Sequence, residues 1–199
     1  MPHTLKALAL FLLMLFLLGG CSSQPLAPPP PEAQQANSHL WHWQIQGRIA
    51  LNDGSNSHSA TLDWQQQGYH YQLQIFGPLG QGSARLDGQP FRVSLTTSDG
   101  EVLMASSPEQ LLQQGLGWNF PLSDLIYWVR GIPAPGVAIQ ISDNQLEQNG
   151  WLVEWRRYTL VNGHQLPQLL LASNGRVQLR LAINQWQVSE AQPATQPAP

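Results

Sequence analysis

Apolar and polar residues alternate with a period of two along most of this chain, and this pattern constrains its fold more than any other feature. The clearest case is the segment 69–86, YHYQLQIFGPLGQGSARL, which predicts two strands joined by a loop. Its first strand turns one face to a core and the other to solvent. Five further segments show the same alternation: 39–51, 60–65, 91–95, 151–156 and 169–183.

Short turns connect these segments, and short connections are typical of antiparallel pairing. Asn52-Asp53-Gly54 and Asn174-Gly175 are two such turns. We expect Phe91 on the core face of its strand, and Leu169 and Leu171 on the core face of theirs. The pattern therefore predicts one mainly antiparallel sheet.

The hydrophobic period changes to that of a helix between residues 107 and 131. Ser107-Pro108-Glu109-Gln110 resembles a capping box with proline at the first helical position, and this helix should stop near Gly115 to Gly117. A second helix should run from about Pro121 to Arg130-Gly131, because its apolar residues are spaced three and four apart. Two short helices can cover the open mouth or one face of the sheet. The predicted fold class is therefore α+β, a mainly antiparallel sheet with a helical lid.

The chain begins like a bacterial lipoprotein. An apolar run of about 12 residues after Lys6 leads through Leu18-Gly19-Gly20 to Cys21, and it is shorter than the roughly 20 residues that span a bilayer. Resemblance to a lipobox implies cleavage before Cys21 and acylation of that residue. Cys21 is the only cysteine, which excludes an internal disulfide. With Ser22 next to it, we expect a lipid anchor in the outer membrane, facing the periplasm.

Composition divides the chain into four parts. Residues 1–20 are the predicted signal peptide, and residues 21–37 hold the acylated cysteine and a Pro-rich tether that we expect not to pack. Residues 38–188 form one domain, and residues 189–199 form a tail expected to be disordered. Without the signal, eight arginines stand against twelve acidic residues, a net charge of −4, so we expect no nucleic-acid partner.

The sequence lacks motifs for catalysis or metal binding. No GxSxG, HExxH, Walker or GxGxxG pattern occurs, so we expect neither an enzyme nor a cofactor. His39 and His42 have an odd spacing that puts them on opposite faces of a strand, and we expect no metal site. Arg48 has two interpretations: it holds a helix or loop by hydrogen bonds, or it is an ordinary exposed strand residue.

The loop between the two central strands carries an aliphatic residue at its tip. The tip is Gly77, Pro78, Leu79 and Gly80, a position that is normally polar. Leu79 either folds onto its own hairpin or stays merely exposed, or it probes a membrane or a partner. The pattern alone leaves these alternatives open.

Large apolar residues accumulate on the predicted inner faces. Each tryptophan can simply fill the core, but together these residues can line an apolar cavity, which suits an acyl chain better than a polar metabolite. The candidates for such a cavity are Trp43, Ile45, Ile49, Trp64, Leu73, Ile75, Leu125, Trp128, Trp151, Val153 and Trp155.

Five groups of residues, taken in order and with the lipobox, resemble the LolB family of outer-membrane lipoprotein receptors. The resemblance runs from the lipobox to about Trp186, and it implies an incompletely closed β-barrel with a helical lid over an apolar cavity. The lead before the first strand is short and interrupted by proline, which argues against the N-terminal helix of the family. The groups are Gly47-Arg48-Ile49-Ala50, Gly77-Pro78-Leu79-Gly80, Leu116-Gly117-Trp118 with Pro121-Leu122, Trp128-Val129-Arg130-Gly131-Ile132-Pro133, and Gln148-Asn149-Gly150-Trp151.

The resemblance also implies a task and its partners. The protein would accept triacylated lipoproteins from the periplasmic carrier LolA and release them into the inner leaflet of the outer membrane. Leu79 would be the protruding residue that contacts phospholipid and assists release, and we expect a monomer. The alternative is an envelope lipoprotein that binds lipid or scaffolds another complex without taking up protein cargo. A lipid hydrolase is the third hypothesis, and the chain offers no nucleophile and base pair for it.

Overall fold

Eleven antiparallel strands form one curved sheet, and the two edge strands do not pair with each other among the described residues. The structure is a computed structural model that describes residues 26–78 and 82–189. The order of strands is β6-β5-β4-β3-β2-β1-β11-β10-β9-β8-β7, so the first and last strands pair at the centre. This confirms the predicted antiparallel, incompletely closed barrel. The strands are β1 (His42–Asn52), β2 (Ser57–Gln67), β3 (His70–Phe76), β4 (Ser83–Gln89), β5 (Arg92–Thr97), β6 (Val102–Ala105), β7 (Ala138–Ser142), β8 (Gln145–Gln148), β9 (Trp151–Val161), β10 (His164–Ser173) and β11 (Gln178–Val188).

Three short helices accompany the sheet: α1 (Pro31–Ser38), α2 (Pro108–Leu116) and α3 (Leu122–Trp128). The predicted N-cap of α2 is confirmed, because the Ser107 hydroxyl accepts a hydrogen bond from the Gln110 amide at 3.4 Å. Gly117 ends this helix in the left-handed conformation, with φ of 69°. The predicted second helix is also confirmed as α3. Helices α2 and α3 pack on the concave face of the sheet, where their apolar sides join the core.

Helix α1 corrects the prediction that residues 22–37 do not pack. Pro31 occupies the first helical position, where no backbone N–H is needed, so the proline begins this helix instead of preventing it. Asn37 in its last turn is fully buried, and Leu26 forms a β-bridge with Tyr158. The described part of the predicted tether therefore belongs to the folded domain, and an N-terminal helix does precede the first strand.

Two predictions of core faces were wrong. Phe91 is 93 % exposed, because it lies in the turn between β4 and β5 with a positive φ of 62°. On β10 the core residues are Leu170 and Ala172, whereas Leu171 is half-buried and Leu169 is buried outside the main core cluster. Both faces of β10 carry leucine, so alternation could not identify the inner one.

A β-bulge bends the central strand pair. The register between β1 and β11 shifts at Gln46 and Gly47. A Cβ atom at Gly47 would lie 2.2 Å from the backbone oxygen of Ala182, so only glycine permits this close approach. Bulges increase local twist, and this one adds twist at the centre of the sheet, where the first and last strands pair.

Candidate acyl-binding interior and its lid

The concave face of the sheet and the buried sides of α2 and α3 enclose a continuous apolar interior. The helices contribute Leu111, Leu112 and Leu122, each fully buried against the sheet. The structure brings all eleven predicted cavity residues into this one cluster, each of them buried. Side chains from sheet and lid fill the space between them, so acyl chains can enter only if the lid moves. Their contact with lipid stays a prediction.

An open cleft of about 670 Å³ leads into one end of this interior. Its walls are apolar at Ala60, Ile75 and Trp118, and its rim is polar at Ser57 and Asp99. The cleft lies between the C-terminal end of α2 and the loop that joins β3 and β4. Gly77 and Pro78 of the predicted insertion loop line it, whereas Leu79 and Gly80 lie outside the described residues. We call this opening the mouth cleft.

A second cleft, of about 620 Å³, lies on the opposite, convex face of the sheet. Side chains of Leu152, Leu171, Glu154 and Arg180 contribute to it. Its lining shares Ser57, His58 and Ser59 with the mouth cleft, so the two clefts adjoin at this end of the sheet.

Buried hydrogen bonds fix the C-terminal end of α3 to the sheet. The Trp128 indole donates to the side-chain oxygen of Gln148 at 3.1 Å, and the Ala134 amide donates to the same oxygen at 2.8 Å. Gln148 in turn donates to the Ala134 carbonyl at 2.8 Å. The Trp155 indole donates to the Trp128 carbonyl at 2.7 Å. These bonds make α3 the firmly held half of the lid.

Arg130, two residues beyond α3, is completely buried. Its guanidinium donates to the carbonyls of Leu40 at 3.0 Å and Ile126 at 3.1 Å, and it lies 4.4 Å from the Trp41 ring centroid. Burial lowers the pKa of Arg130 to about 10, so the side chain keeps its charge at neutral pH. The charge is held by carbonyl oxygens and aromatic rings.

Asn37 completes this connection from the side of α1. Its amide donates to the carbonyls of Arg130 at 2.9 Å and Gln165 at 3.0 Å. The His164 ring nitrogen Nδ1 lies 3.1 Å from its amide oxygen. The segment after the predicted anchor is thus joined to the end of α3 and to β10. We call Asn37, Arg130 and their partners the clasp.

The structure places Arg48 on the exposed outer face of β1. The hydrogen-bonding role considered for Arg48 is filled by Arg130, which the sequence pattern did not single out. The sequence offered one signal, an arginine directly after an apolar helix. Exposed arginines are also favoured near the C-terminus of a helix, so this signal did not reveal that Arg130 is buried.

Helix α2 is held in a different way from α3. It packs on β5 and β6 through apolar side chains, and Gly115 lets it come so close that a Cβ atom there would lie 2.2 Å from Leu95 Cδ2. One polar contact joins it to α3: the Ser123 amide donates to the Glu109 carboxylate at 2.8 Å. Apolar packing on β5 and β6 therefore holds α2, whereas buried hydrogen bonds hold the end of α3.

In the ranges 26–78 and 82–189, no three His, Cys, Asp or Glu side chains are grouped as metal ligands. His39 is exposed and His42 is half-buried. No helix in the described part of the chain is long and apolar enough to cross a membrane.

The family model described as outer membrane lipoprotein LolB matches residues 41–186, which hold the two lid helices and all of the sheet except the last two residues of β11. The chain belongs to the LolB family. Outer-membrane lipoprotein LolB of Marinomonas sp. is 36 % identical over 86 % of this chain and 93 % of its own. That of Chromohalobacter salexigens is 37 % identical over 94 % of this chain and 95 % of its own.

Solved structures share the fold at low identity. A domain from Vibrio parahaemolyticus, described as an outer membrane lipoprotein-sorting protein domain, superposes with a TM-score of 0.53 at 7 % identity. It covers 82 % of this chain and 92 % of its own. This similarity shows the shared architecture alone.

Membership of the LolB family gives the protein its general role. LolB proteins are outer-membrane lipoprotein receptors of the lipoprotein localisation system, and they are not a known enzyme family. The protein is therefore a lipid-anchored receptor that faces the periplasm and interacts with lipoprotein cargo.

Proposed function

We propose that this protein accepts triacylated lipoproteins from the periplasmic carrier LolA and inserts them into the inner leaflet of the outer membrane. The observation that carries the proposal is the apolar interior under an unequally held lid. The clasp and Gln148 fix α3, whereas α2 rests on apolar contacts beside the mouth cleft. Movement of α2 would open the interior to acyl chains without unfolding the sheet.

The cost of exposing acyl chains to water favours a direct transfer. Each buried CH₂ group contributes about 0.8 kcal/mol, so three long chains in water would cost tens of kcal/mol. A path from one apolar interior to another avoids that cost. Transfer without a nucleotide would take its direction from increasing affinity, from carrier to receptor to bilayer.

Leu79 is the residue that we propose for contact with phospholipid during release. Its neighbours Gly77 and Pro78 line the mouth cleft, so the loop stands where an acyl chain would leave. Burial of one leucine contributes about 1.5 to 3 kcal/mol, which is too little to anchor a protein. With acylated Cys21 as the anchor, the contact can be local and reversible. We propose that the protein acts as a monomer.

The acceptor role is tested with a mature chain that carries Cys21→Ala and therefore lacks its own acyl chains. This protein is mixed with the carrier loaded with a triacylated lipoprotein, and the cargo is followed by co-purification. We expect cargo to move to the receptor. If cargo stays on a competent carrier, a lipid-binding or scaffolding role replaces the proposal.

The release role is tested with Leu79→Glu in the membrane-anchored protein. We expect this variant to accept cargo normally and to fail in transferring it to phospholipid vesicles. The matched control is Leu160→Glu, because Leu160 is 65 % exposed on β9, away from the loop. Normal transfer by Leu79→Glu, or equal failure of both variants, would contradict the role of Leu79.

A further inference from the structure

Four buried polar atoms on the inner face of the sheet have no hydrogen-bond partner among the described residues. They lie on the adjacent strands β1, β2 and β3. They are the indole nitrogens of Trp43 and Trp64, the side-chain oxygen of Gln66 and the hydroxyl of Tyr71. Most buried polar groups in proteins are paired, so four unpaired groups on neighbouring strands require an explanation.

The strand register places these residues together. Trp43 lies opposite Gln66, and Gln66 lies opposite Tyr71, so the three form one row across the sheet. Trp64 is the next inward residue on β2, and its ring centroid lies 5.2 Å from that of Trp43. We call these four residues the polar row.

The polar row lies at one end of the interior, and the mouth cleft lies at the other. Trp43 is the second residue of β1, and Gln66 is the second-last of β2, whereas the mouth cleft is lined by Ser57 at the opposite end of β2. The positions between them are apolar, including Ile45, Leu62 and others of the core. Along its length, the interior therefore changes from polar to apolar, as an acylated lipid does from its head to its chains.

Local contacts fix which hydrogen bonds the polar row can make. The amide nitrogen of Gln66 donates to the Gly68 carbonyl at 2.8 Å, which leaves its oxygen as an acceptor. The Tyr71 ring lies directly against Gly88, where a Cβ atom would come within 2.0 Å of the ring. Indole nitrogens only donate, and a phenol can donate or accept. The row therefore offers two or three donors for carbonyl oxygens and one acceptor for an N–H group.

We propose that the polar row binds the ester and amide groups of the N-acylated diacylglyceryl cysteine of the cargo, with its acyl chains directed toward the mouth cleft. This inference rests on the proposed function, that acyl chains enter the interior. A triacylated cysteine has two ester carbonyls, one amide carbonyl and one amide N–H, which matches the donors and the acceptor of the row. A diacyl phospholipid shares the esters but lacks the amide N–H that Gln66 would accept.

The test compares two probes on the mature chain with Cys21→Ala. One is a triacylated cysteine lipopeptide with ester-linked chains, and the other has ether linkages of equal chain length. We expect wild type to bind the ester probe with roughly tenfold higher affinity than the ether probe. Tyr71→Phe should reduce this ratio of affinities by roughly three- to tenfold, which corresponds to the loss of one hydrogen bond. Binding of the ether probe should not change. Tyr158→Phe is the control, because Tyr158 is a buried tyrosine outside the row.

The stability of the free variant separates a ligand site from a structural one. If the Tyr71 hydroxyl has no partner in the free protein, Tyr71→Phe should be at least as resistant to urea as wild type. Lower resistance with unchanged affinity for the ester probe would show a structural partner, such as bound water, and would overturn the inference.

The remaining outcomes distinguish this inference from the proposed function. Failure of wild type to bind either lipopeptide would refute the proposed function itself. Equal binding of the ester and ether probes would overturn the polar row alone. Gln66→Met should weaken the lipopeptide more than a diacyl phosphatidylcholine, and equal losses would overturn the assignment of the amide to Gln66.

Discussion

Replacement of Arg130 with leucine tests whether this residue joins the lid to the N-terminal segment. The two short hydrogen bonds, to Leu40 and Ile126, are 3.0 and 3.1 Å long, and we take each to contribute about 1.5 kcal/mol because the donor is charged. The contact with the Trp41 ring adds about 1 kcal/mol. Leucine avoids the cost of burying a charge, which offsets about 1 kcal/mol. We therefore expect Arg130→Leu to lower the free energy of unfolding by about 3 kcal/mol.

Urea denaturation followed by tryptophan fluorescence measures this loss, and the corresponding decrease in Tm is about 6–12 °C for a domain of this size. Arg48→Leu is the matched control, because Arg48 is exposed on the outer face of β1. Its effect should stay within about 0.5 kcal/mol. Equal unfolding midpoints for the two variants would refute the assignment of the clasp to Arg130. A larger loss for Arg48→Leu would show that the sequence-based interpretation chose the right arginine.

Three further predictions concern the bulge, the support of α3 and buried tyrosine. Gly47→Ala should lower the free energy of unfolding by about 2 kcal/mol or more, because its Cβ would meet the Ala182 carbonyl at 2.2 Å; a midpoint in urea equal to that of wild type would contradict this. Gln148→Leu leaves buried partners unpaired and should cost about 3 kcal/mol, measured in the same way, while circular dichroism checks that the sheet persists. Burial raises the pKa of Tyr158, so this side chain ionises more readily in the unfolded chain than in the folded protein. The stability that the neutral Tyr158 side chain contributes is therefore complete below about pH 10 and is lost as the pH rises further. Wild type should therefore lose more stability than Tyr158→Phe between about pH 9 and 11, and parallel pH profiles would contradict the assignment.

Regular local patterns allowed most of the sheet and both lid helices to be predicted. Alternation identified the long strands because each turns one face to the core, and Ser107 with Gly117 marked both ends of α2. The short strands β6, β7 and β8 were missed. Strand β7 is exposed along nearly its whole length, so no burial pattern distinguishes it from a loop.

The residues that hold the lid could not be predicted because their partners are distant in sequence. Asn37 contacts Arg130 and Gln165, which are 93 and 128 residues away. The prolines before Asn37 suggested an extended tether, and only the tertiary contacts of Asn37 show why this short helix is retained. The candidate cavity residues were easier to select, because large apolar side chains on the inner face of a strand are buried in almost any sheet of this kind.

The β-bridge between Leu26 and Tyr158 limits how the domain can lean on the bilayer. Four residues lie between Cys21 and Leu26, so the five Cα-to-Cα steps from the proposed anchor extend at most about 17 Å. Strand β9 begins with Trp151, at the end of the sheet near the mouth cleft. Tyr158 lies seven residues farther along this strand, which is a distance of roughly 23 Å. If the strands were perpendicular to the bilayer with the mouth cleft against it, Leu26 would lie farther from the bilayer than the connection to Cys21 can extend. If the β3–β4 loop touches the bilayer, the strands must therefore tilt relative to the bilayer normal. The position of the anchor determines the direction of this tilt, because the side of the domain that carries Leu26 must face the membrane.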